Sequence, residues 1–526
     1  MFPVSYYHNY SILIMHKKIV AAALLIMTLQ ASAQVPEEAL RLSWRPQFGT
    51  ARNQAIGGAM GSLGGDATAG LVNPAGLAFF KTSDFILTPG IQFGNGSGQF
   101  RGTSSKNDAA SKFGLGTSGF VFGGFGNKAK NSYGITVTRT ANFNQTVSYK
   151  GQNDYSSFAE PLADEFASSG LTIDNALNSN NISLTTKMAL YTYLVDTATI
   201  GGTNQVIARS EFTPLLNQEH FSEVSGGTTE INFAWGHEIN KKFMAGLSMG
   251  IPITKIDRNT YYRESDASGN TDNDFNYMAY RENFSLKGVG LNLRGGFIYR
   301  PKEYIRLGLA LHSPDFQLMT ETFNAGLAAD LENLFAPNSG YDSATSADIT
   351  SNAVEQYKYS TQTAGKIILS GSYVFREVEN INRQKGFITA DIEFTNYKWM
   401  RFSSSEEQTE ESKDYYQPFN EAIDAIYKSA FNFRLGGELK FNIIMARLGF
   451  AYYGSPYKDK ELKASRMNLS GGLGYRHKGI FLDLTYVHRI SKDVNFPYRV
   501  NAPRANTFAN LKETGSNVLL TVGFKI

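Results

Sequence analysis

Eight basic residues, Arg294, Arg306, Lys366, Arg434, Lys440, Arg447, Arg476 and Arg489, fall on the polar parity of alternating segments, together with the acids Asp391, Glu393, Glu438 and Asp483. Basic groups arranged in this way have two uses. A guanidinium can grip a carboxylate through a bidentate, charge-assisted contact, or it can neutralise neighbouring acids in a structural charge network. Arg294, Arg306, Arg434 and Arg447 are the candidates for holding an anionic head group, and a charge network accounts for most of the rest. Covalent chemistry is poorly provided for. The chain has no Cys, which excludes disulfides, thiolate metal sites and cysteine nucleophiles. Beyond the first 33 residues the histidines are His220, His237, His312, His477 and His488, with no metal-binding helical spacing among them and no G-x-S-x-G elbow anywhere. No catalytic residue, metal site or cofactor is expected. The acidic stretches 265–274 and 406–411 read as solvated loop charge.

The elements that carry these side chains are strands. In 430–441, Phe431, Phe433, Leu435, Leu439 and Phe441 share one face, while Asn432, Arg434, Glu438 and Lys440 share the other. The runs around 444–452, 467–476 and 480–489 repeat the pattern. About fourteen such strands are expected, beginning near residues 84, 112, 131, 226, 241, 274, 303, 356, 386, 428, 442, 466, 480 and 505. Their connections alternate between short turns and long loops, the latter including 150–225 and 323–355. That rhythm, with an oily face on every strand, predicts an all-β fold: a fourteen-stranded antiparallel β-barrel in the outer membrane of a Gram-negative bacterium. A soluble sandwich would give the same alternation within a strand, but not the alternation of loop lengths. Beyond residue 33 no apolar run approaches the ~20 residues of a membrane helix, and a formal charge of only +3 leaves no footprint for nucleic acid. The last strand, with Val518, Leu520, Val522, Phe524 and Ile526 on one face, resembles the terminal signal read by the barrel-assembly machinery, with Ile in place of the usual final Phe.

Residues 1–33 read as a secretory signal: Lys17 and Lys18, an apolar stretch from Ile19 to Leu29, and Ala31-Ser32-Ala33 before cleavage at Ala33–Gln34. Met15 is the expected start. Residues 34–82 lack strand alternation and are rich in Gly and Ala, as suits a plug folded back into the barrel of 83–526. This segment contains Asn73-Pro74-Ala75. Position, glycine-rich context and strand count together resemble the FadL/TodX-type outer-membrane transporters, whose N-terminal hatch carries an Asn-Pro-Ala motif. The paired acids often found upstream in that family are replaced here by Gly65-Asp66.

The resemblance implies passive transport of a hydrophobic compound, with long-chain fatty acid as the leading candidate and aromatic hydrocarbon the other, and with sideways release at a kink in the third strand. Arg139 and Gln145 share the lipid-facing parity of Tyr133, Ile135, Val137, Ala141, Phe143, Val147 and Tyr149. A mid-membrane Arg facing lipid would cost roughly 2–4 kcal/mol. The strand is therefore expected to bulge or to carry Arg139 near an interface, and Arg139, Thr140, Asn142 and Gln145 form the candidate lateral gate. Helical stripes in the loops, Phe158, Leu162, Phe166 with Met188 and Tyr191, and Phe323, Leu327 and Leu331, are the candidate landing site for the ligand or else a packed cap. The expected partners are a hydrophobic small molecule, outer-membrane lipid and lipopolysaccharide, and the assembly machinery. The alternative reading is a barrel of the same type serving as a structural or protein-interaction subunit of an outer-membrane assembly such as a secretion machine.

Overall fold

A computed structural model describes residues 36–526, apart from 126–129, 336–339, 351–353, 376–384, 407–408 and 502. The signal sequence and its cleavage site at Ala33–Gln34 lie outside the described residues. Fourteen antiparallel strands form a closed barrel: 84–100, 103–125, 131–153, 216–240, 243–266, 277–302, 305–330, 355–375, 386–404, 429–441, 444–453, 465–477, 480–495 and 509–525, numbered 1 to 14 below. Closure is made by strand 1 against strand 14, with Asp84–Leu87 opposite 522–525 and Gly90–Gln99 opposite 510–519.

A closed antiparallel barrel pairs its strands with one another around the whole circuit, which is the condition for crossing a bilayer with strands. The outward residues meet the second condition. Phe113, Leu247, Leu293, Leu435, Leu448 and Leu473 are all more than half exposed, an apolar area that would be a liability in water and suits acyl chains. The protein is an outer-membrane β-barrel. Short turns such as 241–242, 303–304, 442–443 and 478–479 gather at one end, while the long connections 154–215, 267–276, 331–354, 405–428, 454–464 and 496–508 gather at the other, external end.

Two strand starts differ from expectation. Strand 2 begins at Thr103 rather than near 112, and strand 4 at Leu216 rather than near 226. Both early segments lie at the external ends of their strands, above the apolar band, where nothing enforces oily alternation. A larger correction concerns 323–331, which is not helical. Phe316–Asp330 is a strand, and Phe323, Leu327 and Leu331 belong to its extended continuation. Apolar residues four apart satisfy a period of 2 as well as one of 3.6, and the intervening Ala325 and Ala329, both buried, show which period applies.

Residues 36–80 lie against the inner wall. They form helices Pro36–Ser43, Ala51–Ala55 and Ala69–Val72 and a 3-10 turn, Pro74–Phe79. Their backbone bonds inward side chains of distant strands: Ala51 N–H donates to Thr521 Oγ1 (2.8 Å), Thr485 Oγ1 donates to Ala51 O (2.6 Å) and Ser248 Oγ donates to Gly70 O (2.8 Å). Asn73 is the most connected residue of the Asn73-Pro74-Ala75 motif. Its Nδ2 donates to Gly61 O (2.6 Å), Phe297 O (3.2 Å) and Leu309 O (3.4 Å), while its Oδ1 accepts from Ala75 N–H (3.1 Å). One amide thus caps the 3-10 turn and fastens it to strands 6 and 7. Close approach is permitted by glycines on the wall: a Cβ on Gly296 would stand 2.0 Å from Asn73 Oδ1, and one on Gly246 2.3 Å from the Pro74 carbonyl carbon. Asp66, the departure from the paired acids, receives Thr50 Oγ1 and Thr68 N–H inside the same segment.

Asn73→Ala would remove these bonds, each a loss of about 1 kcal/mol. Hydrogen exchange of residues 60–78 is expected to accelerate by about tenfold or more, with the strands unaffected. Unchanged protection of 60–78 would show that the amide does not hold the segment.

Candidate functional site

The four arginines expected to face a ligand are occupied. Arg294 grips Glu230 with both terminal nitrogens (2.6 and 2.9 Å). Arg434 pairs with Glu393 (2.9 Å), and Asp391, 3.8 Å away, accepts the backbone N–H of Met60 (3.0 Å). Arg447 lies between Glu438 and Asp483, 2.6 Å from each, while Arg52 of the N-terminal segment reaches Glu438 at 3.6 Å. Arg306 donates to Leu63 O (2.6 Å) and covers the Phe79 ring. Burial at full charge is tolerable only because each cation has its partner, and none of the four lines the large cavity. Arg306 bonds the N-terminal segment directly, Arg434 and Arg447 share carboxylates with it, and Arg294 is neutralised within the wall, so the expectation that the four hold a head group gives way to a charge network.

That cavity, about 540 Å³, lies between the helix Pro36–Ser43 and the inner faces of strands 1, 3, 13 and 14. Its lining is mixed. Trp44, Phe143, Phe158 and Val224 supply apolar surface, and Arg258, Arg466, Arg489 and Arg499 supply charge. Three of these arginines have anchors: Arg258 pairs with Glu38 and with Glu282 (3.0 Å), Arg499 with Glu37, and Arg466 lies over the Trp44 ring at 4.0 Å and donates to its carbonyl.

Arg489 is different. Among the described residues it makes no ion pair, and its buried Nε has no hydrogen-bond partner. Its cross-strand neighbours are Asn468 and Gly515, with Glu513 acting on it from a diagonal position on strand 14. Gly515 gives it room: a Cβ there would come within 3.0 Å of Nη2. A guanidinium with no direct ion-pair partner among the described residues, in a half-apolar chamber, has donors left for an anion.

The cavity reaches the third strand where that strand is broken. Asn131–Asn142 and Gln145–Asn153 are separated by Phe143 and Asn144, and a bulge lies between Arg139 and Ala141 in the ladder with strand 4. Below the break, strands 2 and 3 pair through 118–125 and 131–137. Above it Thr103–Leu115 pairs with strand 1, Gln145–Asn153 pairs with strand 4, and among the described residues no ladder joins the two. The upper half of strand 3 turns inside the barrel instead. Val147 and Tyr149 pack in a buried cluster with Phe100, Ala509 and Leu511 beneath strands 1 and 14, and Phe143 joins Leu40, Trp44 and Val224. Their expected lipid-facing parity is corrected, because the bulge reverses the faces beyond Arg139.

The gate residues divide accordingly. Arg139 sits outside the cavity, its guanidinium laid along Gly227 and bonded to Thr229 Oγ1 (3.4 Å). Thr140, Asn142 and Gln145 line the cavity, and Asn142 Nδ2 donates to Gln92 Oε1 (2.6 Å).

The loop stripes are not displayed to solvent. Phe158, Leu162, Phe166, Met188, Leu327 and Leu331 are buried in one cluster, against which Tyr191 and Phe323 pack. Phe158 is held by Tyr262 and Tyr280, both ring centroids 5.3 Å away. Of these residues, Phe158, Leu162 and Phe323 also line the cavity, so the cap is at once a packed lid and part of the chamber wall. Sequence reasoning did not single out Trp44, and it weighed His220 only as a catalytic or metal residue. His220 is buried at the cavity with no hydrogen-bond partner on either ring nitrogen among the described residues, and is stacked on Tyr149 at 4.8 Å.

No family model and no curated protein sequence matches the chain. Solved structures do. A Pseudomonas aeruginosa FadL homologue superposes with a TM-score of 0.53 at 13% identity, covering 92% of this chain and 99% of that one. The toluene transporter TodX of P. putida gives 0.50 at 12% identity, covering 91% and 99%. At these identities the likeness establishes the architecture: the chain has the FadL-type barrel fold.

Proposed function

We propose that this barrel carries hydrophobic compounds passively into the outer membrane, and that its ligand is a long-chain fatty acid. The observation that carries the proposal is the cavity that reaches a place where, among the described residues, no ladder joins the upper halves of strands 2 and 3. An apolar chain can lie against Trp44, Phe143 and Phe158, and its carboxylate can meet Arg489. From there the route past Thr140, Asn142 and Gln145 ends in acyl chains rather than in water. Partition into the bilayer then supplies the driving force without a cofactor. The two similar solved structures, a FadL homologue and a toluene transporter, support a hydrophobic cargo. The unpaired arginine favours an acid over a neutral arene.

The test is uptake of a labelled long-chain fatty acid by cells carrying the protein, lacking it, or producing Arg489→Ala, with surface display and barrel folding checked in parallel. Uptake that depends on the protein is expected. In Arg489→Ala the half-saturating concentration should rise by about tenfold, the value of one charge-assisted contact, with toluene uptake unaffected. Fatty-acid uptake equal with and without the protein would remove this cargo.

A further inference from the structure

The outer surface carries a row of lysines that neither the barrel nor the cavity uses. Lys492 of strand 13 stands directly opposite Lys512 of strand 14, Lys512 opposite Ser97 of strand 1, and Ser97 opposite Lys106 of strand 2. All three lysines are exposed, and among the described residues none makes an ion pair or a side-chain hydrogen bond. Like charges directly opposed across a ladder are destabilising. A lysine on a free edge can serve to blunt that edge, which accounts for Lys106 alone, since strands 13 and 14 are paired on both sides.

The row has a defined height. On strand 13 the residues of the same face below Lys492 are Ile480, Leu482, Leu484, Tyr486, His488 and Ile490, and on strand 1 Ile91 and Phe93 lie below Ser97. The apolar band therefore ends just under the lysines, at the external end of the barrel. Three ammonium groups at that level face the head groups of the outer leaflet, and adjacent strands about 4.8 Å apart place Lys492 and Lys512 within reach of a single phosphate.

We propose that Lys492, Lys512 and Lys106 bind the phosphate of a phosphorylated glycolipid of the outer leaflet, on the lipid-facing side of strands 13, 14, 1 and 2. The same lipid stands beside the gap between strands 2 and 3, so it borders the proposed exit without being part of the cavity. The assignment is independent of the cargo, because the row faces away from Arg489.

The test is binding of diphosphoryl lipid A to the purified full-length mature protein, followed by native mass spectrometry or by a labelled lipid in detergent, against dephosphorylated lipid A and phosphatidylglycerol. Wild type is expected to bind diphosphoryl lipid A about tenfold or more tightly than the dephosphorylated form. Lys492→Gln with Lys512→Gln should abolish that preference while heat-modifiable migration and fatty-acid binding stay unchanged. Lys241→Gln with Lys242→Gln, at the opposite end, should have no effect. A double variant at 492 and 512 that keeps the full preference would overturn the site, and equal binding of phosphatidylglycerol would overturn the glycolipid assignment.

Discussion

Deleting Phe143 and Asn144 is expected to reduce fatty-acid uptake to the level of cells that lack the protein. These two residues separate the halves of strand 3, and beyond them 145–153 stays paired with strand 4 but turns from strand 2 to pack under strands 1 and 14. Removing two residues preserves side-chain parity, since strand faces repeat every two, so Val147 and Tyr149 keep their inward direction. The continuous strand would then run beside Thr103–Leu115 and supply the hydrogen bonds that side of strand 2 lacks. A sealed wall leaves the cavity intact but removes its exit to lipid. Three readouts separate this from misfolding: heat-modifiable migration, surface labelling, and retained binding of fatty acid by the purified protein. Undiminished uptake by a folded deletion variant would place the exit elsewhere.

Arg447→Ala is expected to destabilise the barrel by about 3–5 kcal/mol, the cost of breaking a buried ion pair from one side. The guanidinium is fully buried between Glu438 and Asp483, and its loss leaves two carboxylates facing one another, with Arg52 3.6 Å from Glu438 and Arg476 3.8 Å from Asp483 as the remaining cations. Urea unfolding in detergent or lipid vesicles measures the effect. Uptake by the folded fraction should keep its half-saturating concentration, in contrast to Arg489→Ala. Unchanged stability with weaker binding would return Arg447 to the role of head-group receptor.

The contrast between these two arginines shows what alternation alone conveys. Parity placed Arg434, Arg447 and Arg489 on the inward face correctly, because each strand buries one face regardless of its neighbours. It did not show who stands opposite. Arg434 is in register with Asp391 and Arg447 with Glu438, whereas Arg489 meets Asn468 and Gly515. Cross-strand register is a property of pairs of strands, set by turns and bulges, and it decides which cation is neutralised. The same limit explains Phe143, Val147 and Tyr149: a single bulge beyond Arg139 reversed their faces. Arg139 itself gave the warning, since an arginine on an oily parity requires a local irregularity. The 323–331 stripe was misread as helix because spacings of four fit both periods. The Asn73 motif was legible as a glycine-rich turn, but its bonds to Gly61, Phe297 and Leu309 depend on contacts between segments more than 200 residues apart in two of the three cases.

The central claim is that ligand passes through the cavity and leaves between strands 2 and 3. The most direct measurement is photo-crosslinking in intact cells with a long-chain fatty acid carrying a diazirine near its tail, followed by peptide mapping. The account predicts adducts on residues 140–147, on 92–96 and on the helix Pro36–Ser43, with the 140–147 adducts lost when Phe143 and Asn144 are deleted. Adducts confined to the external loops, with none on residues 140–147, would contradict it.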